Sequence, residues 1–360
     1  MDENMCGSGV VIVRMGGEIG IKSRPVRSIY ERMLAKIIRS SLERDGIKFS
    51  KILRAAGRIY VHTDEAEKVS KKVAHIFGVS SASAGVSTSS ELEEIIKKGT
   101  ELAVTHFRPG SFSVRCRRSG KHNYTSVEVA SLLGKAILEA KKDLRVDLDS
   151  PDQTLYVEIR EDMAYIYLDS IKGPDGFPVG TQDPLLGVID ETKESLLASW
   201  CMLKRGVSLR AVTYEIGGEV PKGAVNNLKV LLEWMPNASL ETIVAPLPAD
   251  CEEFLTNYEL VAAIQIARRE GIAGVVSGLR PRSVKEILPL SRLEVQVFFP
   301  LMVLEDGTLD GWSKYIGVGE YRPDERVFGT ICLSGQSRLE DFYSRCEYKK
   351  LKLSPGGSHF

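Results

Sequence analysis

The turn Asp190-Glu191-Thr192-Lys193-Glu194-Ser195 stands between an apolar run, Leu185-Leu186-Gly187-Val188-Ile189, and an amphipathic stretch that ends at Lys204-Arg205-Gly206. A strand, a short turn and a helix in that order aim helix N-terminal amides at a phosphate. This turn contains no glycine, and two carboxylates stand where an anion would be held. A phosphate cradle requires the opposite. Glycines let backbone amides approach the anion, and side chains at those positions block them. The framework and its turn therefore point to different chemistry.

A second set of candidates is cationic and lies in the first half of the chain: Lys22, Arg24, Arg54, Arg58, Arg115, Arg117, Arg118 and Lys121. Read as a strand, Ser111 to Arg117 alternates Phe112, Val114 and Cys116 on one face with Ser113, Arg115 and Arg117 on the other. Arg118 and Lys121 extend the row into a polar loop. Such a row neutralises several phosphates, and His122 and Tyr124 offer rings for stacking on bases. The competing reading is a solvated strand face. Charge is uneven in the same direction. Residues 1–180 carry 28 Lys and Arg against 24 Asp and Glu, leaving 20 against 24 in the remainder, within a chain of net charge zero. A polyanion is expected to meet the first half.

A chain of 360 residues with 43% hydrophobic and 27% charged residues is expected to form two or three globular domains. Its six cysteines form no CxxC pair, which argues against a zinc ribbon or a disulfide framework. No metal-ligand spacing of histidines occurs, so no metal site is expected from the residues themselves. The polar start, MDENMCGSG, predicts no signal peptide. The absence of a run of about 18 apolar residues predicts no membrane span. The expected location is the cytoplasm.

These residues need elements to position them. Val10 to Met15 reads as a strand, and Ile29, Met33, Ile37 and Ile38 mark a helix from Pro25 to about Leu42. Strands at Phe49 to Leu53 and Arg58 to His62, a helix from Glu65 to Phe77 stopped by Gly78, and a strand from Ser81 to Val86 complete a β-α-β-β-α-β plan, which is ferredoxin-like. A second unit starts near Ser90. It has a helix to Thr105, the basic strand, a helix capped by Thr125 or Ser126 with Glu128 placed for a capping box, and two alternating strands, Thr154 to Ile159 and Met163 to Leu168. From about 181 the chain alternates strands (Leu185–Ile189, Ser208–Tyr214, Glu241–Ala245, Ala273–Ser277, Gln296–Phe299) with helices such as Asn257 to Arg269. That alternation predicts a doubly wound parallel sheet. Residues from Glu347 onward read as a loosely ordered tail.

Specific runs carry a family resemblance. VRMGGEIGIKSRPVRSIYERML (Val13 to Leu34) with RAAGRIYV (Arg54 to Val61) resembles the amino-terminal ferredoxin-like domain of the ThiI-type tRNA 4-thiouridine synthetases. FSVRCRRSGKHNYTSVEVASLLGKAI (Phe112 to Ile137) resembles the family's THUMP domain. Val146 to Gln182 is similar to its exit from THUMP, and WCMLKRGVSLRAVTY (Trp200 to Tyr214) to a helix and strand of its ATP pyrophosphatase, or PP-loop, domain. The resemblance implies an α/β and α+β chain: a ferredoxin-like domain over 1–88, THUMP over 89–176, a PP-loop domain over 177–346, and a flexible tail over 347–360.

By resemblance the reaction is ATP-dependent thiolation of a tRNA uridine, with ATP and Mg as cofactors. The family's Ser-Gly-Gly-x-Asp-Ser phosphate turn falls on Asp190 to Ser195, where Ser195 alone matches and Glu194 replaces Asp. Other implied nucleotide positions are Val188, Ile189, Thr213, Tyr214 and Gly278. The family's sulfur-carrying cysteine falls on Phe328, and the nearest thiol, Cys332, is the remaining weak catalytic candidate. No further sulfur-carrying domain is expected after Phe360. Partners implied are tRNA, a sulfur-donor protein if the site is active, and a second copy of the chain as a homodimer. No membrane partner is expected. Two functions follow: a tRNA-binding member with lost or altered ATP chemistry, or an active tRNA sulfurtransferase using a divergent PP-loop. A THUMP-containing methyltransferase or deaminase is disfavoured, because neither a glycine-rich cofactor loop with an Asn-Pro-Pro-Tyr-like run nor a His-x-Glu with Cys-x-x-Cys is present.

Overall fold

The computed structural model describes residues 9–55, 57–247, 255–281, 287, 290, 294–320, 322, 343 and 346–354. Its contacts divide the chain into two units, Met1–Gly176 and Phe177–Phe360.

In the first unit the order is β1 (Gly9–Met15), α1 (Gly17–Gly20), α2 (Arg24–Arg44), β2 (Lys51–Ala55), β3 (Arg58–His62), α3 (Ala66–Val73), β4 (Val79–Ser89), α4 (Leu92–His106), β5 (Gly110–Ser119), α5 (Ser126–Ala140), β6 (Leu144–Val146), β7 (Gln153–Arg160), β8 (Met163–Tyr167) and β9 (Ile171–Lys172). The ferredoxin-like and THUMP-like halves share one sheet, in the order β2-β3-β1-β4-β8-β7-β5-β6, with β9 paired to β4. The junction is β4. It extends past the expected Val86, and its end pairs with β8 from Gly85↔Tyr167 to Ser89↔Met163. The two halves therefore have separate helical cores but one continuous backbone hydrogen-bond network.

Strand alternation sorts the side chains. Val11, Val13, Ile59 and Val61 face α2 and α3 in one core, with Leu34, Ile38 and Leu42 from α2. Leu155, Val157, Ile159, Ala164 and Ile166 face α4 and α5 in another, with Ile95, Leu133 and Ile137. The helix-free face carries the intervening residues, and it is concave. Tyr60 on β3 and Tyr165 on β8 lie three strands apart, a span of roughly 14 Å in a flat sheet. Their rings nonetheless stack with centroids 4.1 Å apart. Curling closes this face over Val10 and Ile12 as a third, smaller core.

Two histidines, His62 buried and His75 half-buried, make this unit acid-sensitive. Burial, then the charge of Lys72, holds the His75 imidazole down at about 4. Burial likewise lowers His62, which is 2% exposed. Imidazoles titrate near 6.5 in the unfolded chain, so the unfolded state takes up protons first as pH falls. The stability tied to neutral His75 is fully present above pH 6.5 and is lost as pH falls toward about 4, a contribution on the order of 3 kcal/mol. Urea midpoints followed by far-ultraviolet circular dichroism should fall over that window, and less steeply in His75→Gln. An unchanged slope in the variant would contradict the assignment.

The second unit contains β10 (Gln182–Val188), α6 (Lys193–Lys204), β11 (Val207–Glu215), α7 (Lys222–Trp234), β12 (Leu240–Pro246), α8 (Leu255–Glu270), β13 (Gly274–Val276), β14 (Gln296–Phe298), α9 (Asp306–Tyr315) and β15 (Lys349–Leu353). Strand order is β14-β13-β10-β11-β12-β15. The first five strands are parallel, as the alternation predicts. Leu186, Val188, Val212, Tyr214 and Ile243 pack under α8. On α6, α7 and α9, Trp200, Trp234, Trp312 and Tyr315 form one aromatic cluster.

The carboxyl-terminal segment corrects an expectation. Residues 349–353 are not loosely ordered but form β15, antiparallel to β12 from Leu240↔Leu353 to Val244↔Lys349. Leu351 and Leu353 alternate with Lys350 and Lys352, which is a period-two strand pattern. Lys349 and Lys350 pair with Glu215 and Glu270 at 2.7 and 2.5 Å. Lysines on an edge strand also discourage pairing with other chains.

Candidate functional site: a phosphate-loop framework and a basic sheet face

β10 delivers the chain to the centre of the parallel sheet, where a ligand is expected at the carboxyl ends of the strands. Val188 and Ile189 are buried, and the Ile189 amide donates to the Val212 carbonyl at 2.8 Å. The turn that follows is bonded to itself. Asp190 Oδ1 accepts from the Thr192 amide at 2.7 Å and from the Thr192 hydroxyl at 2.5 Å. The Thr192 hydroxyl accepts from the Ser195 amide as the N-cap of α6, a role that suits Thr. The Asp190 amide donates to Ser195 Oγ at 3.2 Å. Asn227 Nδ2, from α7, donates to the carbonyls of Asp190 and Thr192, both at 2.8 Å. Three amides of the turn, those of Asp190, Thr192 and Ser195, are thus engaged by the loop's own side chains.

Neighbouring backbone boxes the turn in. A Cβ on Gly223 would lie 2.5 Å from Glu191 Cβ, and one on Gly278 would lie 2.5 Å from the Ser195 amide nitrogen. Gly278 thus serves close approach of the β13 exit to the first turn of α6. Gly278→Ala should cost about 1–3 kcal/mol through overpacking. Urea unfolding followed by tryptophan fluorescence would show it as a lower midpoint, and an unshifted midpoint would contradict this packing role.

Several of the implied nucleotide positions carry buried side chains. Tyr214 is 2% exposed, and its hydroxyl donates to the Glu259 carbonyl at 2.7 Å. Its side chain belongs to the core under α8. Thr213 is buried, and its hydroxyl has no hydrogen-bond partner among the described residues. Ser195, the one match to the family turn, is 1% exposed and spends its hydroxyl on the Thr192 carbonyl. Arg280, two residues beyond Gly278, is tied to Asp306 Oδ1 at 2.6 Å and to the Leu304 carbonyl at 2.7 Å. Lys193 Nζ donates to the Glu320 carbonyl. Asn227 and Gly223 had no signal in the sequence, because their roles depend on α7 lying against the turn.

Cys332 and Phe328 lie outside the described residues. Among the described free thiols, burial pushes Cys116 up to about 11 and also raises Cys201 and Cys346, so none is an activated thiolate. Among the described residues no cluster of His, Cys, Asp and Glu fits a metal ion, and no helix is long and apolar enough to cross a membrane.

In the first unit, Arg115, Arg117, Arg118 and Lys121 are exposed. Arg115 and Arg117 share the concave face, opposite Tyr156 and Glu158 of β7. The loop beyond is ordered by its polar groups. His122 Nε2 donates to the Glu161 carbonyl at 2.7 Å, which leaves Nδ1 to accept from Arg118 Nη1 at 3.4 Å. The His122 and Tyr124 rings stack at 5.3 Å, and the Tyr124 hydroxyl donates to the Ser90 carbonyl. Thr125 and Glu128 complete a capping box on α5. Lys22, between α1 and α2, and Arg24, at the start of α2, are exposed. Arg54 and Arg58, read together in the sequence, point to opposite faces, because Arg54 opposes the core residue Ile59 and Arg58 opposes Ala55. Arg58 is directed at Glu158, with Nε 3.5 Å from Oε1.

Comparison with known proteins follows the same division. A ThiI ferredoxin-like domain model matches residues 10–83, and a THUMP domain model matches residues 89–169. A probable tRNA sulfurtransferase of Methanosarcina acetivorans is 29% identical over 358 residues, covering 92% of this chain and 86% of the relative. One of Saccharolobus islandicus is 34% identical over 239 residues, covering 65% and 62%. Among solved structures, PH1313 of Pyrococcus horikoshii superimposes with a TM-score of 0.71 at 26% identity, covering 86% of this chain and 99% of that one. A 4-thiouridine synthetase in complex with RNA and bound ATP gives 0.74 at 23% identity, covering 96% and 100%, and shares the fold. The matches agree across the molecule: the chain carries a ThiI ferredoxin-like domain followed by a THUMP domain, and over most of its length it is similar to probable tRNA sulfurtransferases.

Proposed function

We propose that this chain is a tRNA-binding member of the family whose second unit has lost, or profoundly altered, the ATP chemistry. The observation that carries the reading is the turn at 190–195. The Asp190 carboxylate accepts from the Thr192 amide at 2.7 Å, so the loop holds an anion of its own. A phosphate brought to the same place meets two carboxylates, each repelling it by about 1 kcal/mol at 4 Å in water and about 4 kcal/mol at the dielectric of a protein surface. The group ATP therefore does not fit the residues present, and no catalytic step is routed through it. The first unit retains the means to hold RNA: an exposed arginine row, an ordered basic loop and stacked rings.

The competing reading is an active sulfurtransferase with a divergent site. It is favoured by similarity that spans nearly the whole chain to relatives named probable tRNA sulfurtransferases. A thiolation assay with tRNA transcript, ATP, Mg and a persulfide donor separates the two. The proposal expects tRNA binding with no 4-thiouridine formed. Turnover by the purified chain would overturn it.

A further inference from the structure

The concave face of the first unit holds a charge cluster that RNA binding through the exposed row does not use. Glu158 is 6% exposed and is approached by three guanidiniums: Arg160 Nη2 at 2.5 Å, and Arg14 and Arg58 each at 3.5 Å. The arginine side chains are 17 to 26% exposed. One carboxylate thus faces three cations, leaving a surplus of two positive charges on a partly buried surface. Burial pushes the Glu158 carboxyl up, but the Arg160 hydrogen bond and the charges of Arg58 and Arg14 outweigh it and hold it below the usual carboxylate range. Arg58 Nε is buried and, among the described residues, has no hydrogen-bond partner beyond its 3.5 Å approach to Glu158 Oε1. Such a surplus is unfavourable for folding alone unless an anion completes it. Beside it, Arg14 lies over the Tyr167 ring at 4.7 Å, and Tyr167 stacks on Tyr156 at 5.2 Å with an interplanar angle of 9°.

We infer that the Arg14, Arg58 and Arg160 cluster on this face is a binding site for a phosphate monoester, presented by the 5′ end of an RNA. The charge decides the class. A terminal monoester is close to a dianion near neutral pH and matches the surplus of two, whereas an internal phosphodiester carries one charge. Guanidinium forks suit a phosphate with several free oxygens. The Tyr156–Tyr167 pair offers a planar surface for the attached base. Arg115 and Arg117, on the next strand of the same face, lie where the following diesters would run. This inference rests on the reading of the first unit as RNA-binding.

The test compares one tRNA transcript with a 5′-monophosphate and with a 5′-hydroxyl against the full chain, by fluorescence anisotropy. A parallel arm uses AMP and inorganic phosphate in thermal-shift measurements. The 5′-phosphorylated RNA should bind about tenfold more tightly or better. The difference should vanish in Arg160→Gln and in Arg14→Gln, while Arg115→Gln weakens both RNAs alike. Equal RNA affinities, with a thermal shift by AMP that is lost in Arg160→Gln, would keep the monoester site and assign it to a free nucleotide. Wild-type protein that distinguishes neither the RNA ends nor AMP from buffer would overturn the site. Failure to bind either RNA would refute the RNA-binding reading separately and leave the AMP arm to judge the cluster. The wild-type comparison needs no variant to fold.

Discussion

Replacing Asp190, Glu191 and Thr192 together by Ser, Gly and Gly should raise the ATP affinity of the second unit by about 100-fold or more. The surrounding framework is present: Gly278 already allows the β13 exit to touch α6, and Gly223 already allows α7 to lie on the turn. Asn227 bonds the turn through carbonyls of its backbone, so those contacts survive a change of side chain. What changes is the anion balance. Two carboxylates leave, and the Thr192 amide loses its Asp190 partner and is freed to face a ligand. Removing repulsion of the size given by Coulomb's law near a protein surface, and adding one or two amide donors, gives at least ~3 kcal/mol, or about 100-fold. Loss of the Thr192 cap costs about 1 kcal/mol of helix stability, which a domain of this size tolerates. The chain has three tryptophans, and Trp200, Trp234 and Trp312 all cluster around α6, so intrinsic fluorescence reports on the loop. A folded triple variant that binds ATP no better than the wild type would show that the turn is not what excludes the nucleotide.

The second large effect concerns RNA. Arg115→Glu combined with Arg117→Glu should weaken tRNA binding by about 100-fold or more near 0.15 M salt and lower the salt slope by about two. Both side chains are exposed on β5, and the β5 residues that face the helices, Phe112, Val114 and Cys116, are untouched. Stability should therefore hold, with thermal midpoints within a few degrees of wild type. Unchanged tRNA affinity in the double variant would place the RNA elsewhere.

Much of this architecture is legible in the sequence because it is local. Alternation on β5 separates Arg115 and Arg117 from Phe112 and Cys116, and the Thr125 and Glu128 spacing marks the start of α5. Apolar runs mark the five parallel strands, and the Asp190–Ser195 turn is visibly unlike a phosphate loop. What escapes is set by long-range geometry. Arg14 and Glu158 are 144 positions apart, and they meet only because β4 joins two sheets and the joint sheet curls. The parity of β11 turns the Tyr214 side chain under α8, which its own neighbours in sequence do not announce. β15 is hidden because a lysine-rich segment becomes a strand only when the β12 edge is there to pair with it. Asn227 acts on the turn from another helix, and no local pattern announces it.

If the second unit keeps a phosphate-site framework whose turn holds an anion of its own in place of ATP, isothermal titration of the wild-type chain with ATP and Mg should show no binding tighter than about 1 mM, in the same preparation that binds tRNA; saturable ATP binding in the low micromolar range would refute that reading.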